Sequence, residues 1–170
     1  MEEVIIALLE DEDRDQFIKE NQESFRYGAM EEFGLRDDHF EEEGEIISRK
    51  TIEDAIQDGI AYRILQNGRK VGGLVLRIEG TKGFLDLLFV SPREHSKGIG
   101  CAAWHKVEEK YPQIEVWETC TPYFEKRNIH FYVNRLGFYI VEFFNGKHPD
   151  PHEPNGNELD EMFRFEKRMR

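Results

Sequence analysis

Residues 84–100 constrain the fold most. Phe84 to Val90 reads FLDLLFV, an almost wholly apolar run of strand length. Such a run needs cover on both faces, which places it in the middle of a sheet. Ser91-Pro92 ends it, because proline has no N–H to give a ladder. A polar loop, Arg93-Glu94-His95-Ser96-Lys97, leads to Gly98-Ile99-Gly100. The spacing then predicts a helix from Gly98 to Tyr111, stopped by Pro112. A central strand therefore runs through a loop into a glycine-opened helix. The first amides of a helix lack intrahelical partners and carry partial positive charge. Glycines let a backbone approach an anion closely. With Arg93, His95 and Lys97 beside them, Ser96 to Gly100 suit a pyrophosphate.

The flanking elements follow from periodicity and turn chemistry. Val4 to Leu9 predicts a first strand, and Asp11 or Asp13 caps a helix running to about Phe25. Residues 36–45 read as an acidic loop. Thr51 is expected near the N-cap of a short helix that ends before Gly59. Ala61–Gln66 and Lys70–Ile78 form a hairpin about Asn67-Gly68, a strong turn signal. After the central helix, Ile114–Thr119 predicts a strand and Glu125–Leu136 a helix ending at Gly137. Strands at Phe138–Phe144 and Met162–Lys167 close the chain, with a polar loop at residues 145–157. Residues 1–170 are expected to form one α/β domain on one sheet.

The 170 residues carry a net charge of −12, unevenly placed. Residues 1–60 hold 20 acidic against 6 basic side chains, a balance of −14. Such a surface repels phosphate backbones, so no nucleic-acid partner is expected. No apolar run reaches the length of a membrane span, so no membrane partner is expected either. The N-terminus lacks a basic secretory signal, which points to the cytoplasm. Cys101 and Cys120 read as reduced thiols. His148 and His152, four apart in a proline-broken loop, do not form a helical metal pair, and no metal is expected.

A rival reading exists for the glycines. Gly98-Ile99-Gly100-Cys101-Ala102-Ala103 matches a G-x-G-x-x-A dinucleotide fingerprint, with Glu118 lying 18 residues beyond Gly100. That fingerprint follows its strand directly, whereas here seven residues separate Val90 from Gly98. The spacing argues against it.

Val90-x-Pro92 followed by His95-x-x-Gly98-x-Gly100 resembles the signature of the GCN5-related N-acetyltransferase (GNAT) superfamily, V-x-P then [QR]-x-x-G-x-[GA]. His95 stands where Gln or Arg is usual. Asn128 to Phe138 is similar to the superfamily's late helix, which carries a Tyr and ends in Gly-Phe. Four residues separate Tyr132 from Gly137-Phe138, where three are usual. The resemblance implies a mixed, mostly antiparallel central sheet of about six to seven strands with flanking helices. It implies acetyl-CoA as co-substrate and acetyl transfer to a primary amine. Acetyl-CoA would bind along Leu88, Phe89 and Val90, through Arg93, His95, Ser96, Lys97, Gly98, Ile99 and Gly100, and by Asn128. The donor strand would be splayed from its neighbour, and a backbone N–H near Leu88 or Phe89 would stabilise the oxyanion.

Tyr132 would then be the catalytic acid for the leaving thiolate. Asp86, the one acid in the apolar strand, is the expected base, with Glu118 second. Strict alternation places Asp86 on the side of Leu88 and Val90. The acidic N-terminal part, where this superfamily frames its acceptor, points to a cationic amine. A homodimer is possible because dimers are common among relatives. The different-class alternative is a non-catalytic acyl-CoA-binding or regulatory module.

Overall fold

A computed structural model describes residues 3–33, 45–95, 97–123, 125–152 and 161–169, with side chains of 29–33 excluded. Ser96, residues 36–44 of the expected acidic loop and residues 153–157 of the expected polar loop lie outside the described residues. The element order is β1 (Val4–Leu8), α1 (Arg14–Phe33), α2 (Arg49–Asp58), β2 (Ile60–Gln66), β3 (Arg69–Glu79), β4 (Lys82–Val90), α3 (Ile99–Lys110), β5 (Val116–Pro122), α4 (Lys126–His130), β6 (Tyr139–Phe144) and β7 (Met162–Arg168). α1 is longer than expected. α2 is capped one residue before its start by Ser48, whose Oγ accepts from the Thr51 amide at 3.0 Å. Thr51 is therefore inside the first turn rather than at the cap.

All seven strands form one sheet in the order β1-β2-β3-β4-β5-β7-β6. Only β4 and β5 are parallel; every other pair is antiparallel. The β2–β3 turn is tight because Asn67 and Gly68 both adopt positive φ, 51° and 80°.

The sheet carries a core on each face. On one side α3 and the chain after α4 bury Ile99, Trp104, Val107, Tyr132 and Phe138 against Leu74, Leu76, Leu85, Trp117 and Phe165. Trp104 meets Trp117 edge-on, ring centroids 5.0 Å apart, a favoured aromatic geometry. On the other side α1 and α2 bury Phe17, Ile18 and Ile52 against Val75, Leu87 and Phe89. Gly73 makes room for Phe17. A Cβ there would lie 2.2 Å from the Phe17 ring and 2.8 Å from that of Phe89. Gly73→Ala is expected to destabilise the fold by about 1–3 kcal/mol. Urea denaturation measures this, and an unchanged midpoint would show that the rings yield.

β4 does not alternate strictly. Its register against β3 shifts, with Val75 opposite Leu87 but Leu76 opposite Leu85, so Asp86 has no partner. One extra residue in one strand is a β-bulge, and it turns the side chains beyond it. Leu85 accordingly faces α3 while Leu87, two residues on, faces α1 and α2.

Candidate active site

β4 and β5 pair only from Lys82–Val116 to Leu85–Thr119. Beyond that, β4 stays with β3 as far as Val90–Gly72. β5 stays with β7 as far as Pro122–Met162. The two parallel strands therefore part after Leu85 and Thr119. Among the described residues, no strand lies beside the edge of β4 from Asp86 to Val90 on the β5 side. Alternate backbone groups along such an edge are available to an extended ligand.

The end of β4 leads into the glycine-opened helix. Gly98 is the N-cap of α3 with φ +74°, a left-handed conformation that L side chains resist. The first bond closing α3 is Ala102 N–H to Gly98 O at 3.0 Å. The amides of Ile99, Gly100 and Cys101 precede it and have no earlier carbonyl within the helix. Gly100 serves packing, since a Cβ there would lie 2.9 Å from the Phe131 ring. Both glycines of the motif thus have a physical reason, and they differ.

Not every expected phosphate ligand stands ready. The His95 amide donates to Pro92 O at 3.4 Å. Its ring lies against β4, with Nε2 2.8 Å from Val90 O. Ser24 Oγ of α1 donates to the same carbonyl at 3.2 Å. Lys97 Nζ donates to Glu94 Oε2 at 2.9 Å, and Arg69 reaches the other oxygen at 3.3 Å. The Lys97 hydrogen bond leads the causes that hold the Glu94 carboxyl below its ordinary range, against some burial. Arg93 is exposed. Leu88 and Val90 are half-buried and pack on the α3 side, while Phe89 is buried on the α1 side.

Tyr132 sits at the narrow end of the gap. The segment after α4, Phe131–Arg135, is a π-turn. Leu136 N–H bonds Phe131 O at 3.0 Å, five residues back. That wider turn absorbs the extra residue before Gly137-Phe138. Gly137, at φ +84°, then releases the chain into β6. Tyr132 is 7% exposed, its ring packed among Phe131, Phe138 and Phe165. Its hydroxyl is hydrogen-bonded to Thr119. Thr119 Oγ1 in turn donates to Leu85 O at 2.9 Å. The phenol is therefore tied to the last rung before the strands diverge. Burial pushes its pKa up to about 12, and the Thr119 bond only partly opposes this. Asn128, one turn earlier, donates from Nδ2 to Thr121 Oγ1 at 3.3 Å, bracing α4 on the diverging part of β5.

Asp86 is not where alternation predicts. The bulge turns it to the α1–α2 face, away from Leu88 and Val90. There Arg77 Nε and Nη2 bond its two oxygens at 2.7 and 3.1 Å. Arg77 lies over the Phe84 ring, 4.4 Å from its centroid. Asp86 is thus a partnered carboxylate rather than a lone acid in an apolar strand. Glu118 is partnered as well, accepting from Arg164 Nη1 at 2.6 Å.

Sequence reasoning missed Ser24, Thr119 and Arg127. Thr119 was legible as the end of a strand, but not as a partner of Tyr132. Nothing local marks Arg127, whose Nη2 lies 2.6 Å from His95 Nδ1.

The acetyltransferase (GNAT) family matches residues 10–138, which span the parted strands and both glycines. The chain belongs to the GNAT acetyltransferase family. The uncharacterized protein YrkN of Bacillus subtilis (strain 168) is 44% identical over 179 aligned residues, covering 98% of this chain and 94% of the relative. Among solved structures, the ribosomal-protein-S18-alanine N-acetyltransferase of Escherichia coli superposes with a TM-score of 0.68 at 15% identity. That match covers 98% of this chain and 94% of the other. The PaiA N-acetyltransferase of Thermoplasma acidophilum, solved in complex with coenzyme A, also gives 0.68 at 19% identity, covering 98% and 99%. These likenesses bear out the expected GNAT fold, a mixed sheet of seven strands with flanking helices. Among the described residues no helix is long and apolar enough to cross a membrane.

Proposed function

We propose that this GNAT protein transfers the acetyl group of acetyl-CoA to a cationic primary amine by direct attack. The parting of β4 from β5 after Leu85–Thr119 carries this reading. It leaves a backbone edge along which the pantetheine arm can lie, with the amides opening α3 beyond Val90 for the diphosphate. A backbone N–H near Leu88 or Phe89 is the oxyanion donor. Tyr132, at the narrow end, protonates the leaving thiolate. At a pKa of about 12 it remains a hydroxyl, and so a donor, throughout the neutral range.

The acceptor enters from the α1–α2 face; the N-terminal part of the sequence that supplies α1 and α2 (residues 1–60) carries a balance of −14. Asp86 faces that side and adjoins the Leu85–Thr119 rung. It takes the amine's proton through a water, since Arg77 already occupies both its oxygens.

The direct test incubates the protein with acetyl-CoA and a panel of polyamines, amino sugars, peptide amines and neutral amines, following free thiol. Turnover on cationic amines that declines with added salt is expected. Acetyl-CoA binding with no turnover on any amine would leave a binding module instead. A preference for neutral or anionic amines, insensitive to salt, would remove the cationic acceptor.

A further inference from the structure

Thr119 ends the ladder shared by β4 and β5. It is the last β5 residue paired with β4, opposite Leu85, and it is buried. Its Oγ1 donates to Leu85 O at 2.9 Å. A carbonyl can only accept, so this bond engages the one proton the hydroxyl has. On its other side Thr119 stands opposite Phe165 of β7. Directly opposed residues share a face of the sheet, and the Tyr132 ring packs on Phe165 with centroids 5.6 Å apart. Register and ring packing therefore set the phenol beside Thr119, to which it is hydrogen-bonded.

Proton supply fixes the direction of that bond. With the Thr119 hydrogen on Leu85 O, only the lone pairs of Oγ1 remain, so the phenol is the donor and Thr119 the acceptor. A threonine hydroxyl can reverse this role by turning about its Cβ–Oγ1 bond, because it is both donor and acceptor. Turning away from Leu85 O is unfavourable while the phenol is neutral. It becomes favourable against a phenolate, since a hydrogen bond to an ionised oxygen is roughly twice as strong as one between neutral groups.

We propose that Thr119 is the positioning residue for proton transfer from Tyr132, accepting from the phenol before the transfer and donating to the phenolate after it. As the tetrahedral intermediate collapses, the C–S bond breaks and its electron pair goes to sulfur. The phenolic proton moves to that sulfur, giving the free thiol of coenzyme A and a phenolate. The Thr119 hydroxyl then turns from Leu85 O to the phenolate oxygen, and a proton from solvent restores the phenol. The second bond exists only once charge has formed, so it speeds the chemical step without tightening substrate binding. This inference rests on Tyr132 as the acid and adds the group that holds it.

Thr119→Val and Thr119→Ser, each made in the full chain and again with Tyr132→Phe, test it. Free-thiol release with the fastest amine of the panel gives kcat, and calorimetry gives the Kd of acetyl-CoA. Thr119→Val is expected to lower kcat about ten- to hundredfold, the size of one hydrogen bond to a charged group, with Kd changed less than about twofold. Thr119→Ser keeps the hydroxyl and should recover most of the rate. With Tyr132→Phe already present, Thr119→Val should change kcat by less than about twofold, because the pair acts as one unit. Thr119→Ala repeats the comparison if the valine variant alters the far-ultraviolet circular dichroism. An equal loss in both backgrounds, no recovery with serine, or a loss of acetyl-CoA affinity matching the loss of rate would make Thr119 a part of the strand split alone and overturn the proposal. Parent-like kcat in Thr119→Val beside an impaired Tyr132→Phe would reject Thr119 only. Parent-like kcat in Tyr132→Phe, or no turnover by the parent on any amine, would reject the acid or the transferase reading with it.

Discussion

Tyr132→Phe is expected to cut acetyl transfer by about two to four orders of magnitude and to leave acetyl-CoA affinity nearly unchanged. The substitution removes one oxygen and keeps the ring that packs among Phe131, Phe138 and Phe165. The oxygen's neighbour is Thr119, at the last rung shared by β4 and β5. In the proposed reaction the phenol is the donor to a thiolate leaving there. Because the phenol titrates only near pH 12, its ionisation should leave no limb in the rate profile between pH 6 and about 10. Steady-state turnover, paired with calorimetry, separates chemistry from binding. Collapse of acetyl-CoA binding in the variant would make Tyr132 a wall of the pocket. Full activity would remove it from the mechanism.

Arg63→Met should cost about 3–5 kcal/mol, a large share of the stability of a domain this size. Arg63 on β2 is 3% exposed and bonds Asp13 through Nε at 2.6 Å and Nη2 at 3.0 Å. It also bonds Glu20 of α1 and reaches Gly72 O at 3.4 Å. Lys70 meets Asp13 at 3.1 Å. Removing the guanidinium leaves the buried Asp13 carboxylate with Lys70 as its remaining cation and takes the arginine from the half-buried Glu20. Guanidinium chloride unfolding measures the loss, and a change below about 1 kcal/mol would mean that water replaces the arginine.

The same cluster has a pH signature. Burial works to raise the Asp13 carboxyl, but hydrogen bonds from Arg63 and Lys70 outweigh it and hold the group below its ordinary 3.8. A lowered folded-state value stabilises the fold above pH 3.8, and that stability is lost as pH falls through the folded-state value. The stability difference between the parent chain and Arg63→Met should therefore narrow as pH falls through the folded-state value.

Both predictions depend on residues whose importance was unequally legible. Tyr132 could be read from Asn128–Phe138, yet its spacing to Gly137 was one residue too long. The π-turn at Phe131–Arg135 resolves this, because a wider turn takes up a residue and keeps the tyrosine inward. Arg63 gave no signal at all. A charged residue at a strand position reads as solvent-facing until Glu20 of α1 and Asp13 of the turn just before it come over it.

Residues read alone set the order of elements, the Asn67-Gly68 hairpin, the almost wholly apolar central strand and the helix opening at Gly98. These depend on backbone preferences and periodicities that act within a few residues. Tertiary structure alone decided which way Asp86 points, where β4 leaves β5, and that Arg127 meets His95. A bulge is defined by the partner strand, a gap by two neighbours pulling apart, and a contact between residues 32 apart by the packing of α4 against the sheet. None of these is a property of the local chain, which is why the candidate base changed faces while the opening of α3 stayed where its glycines put it.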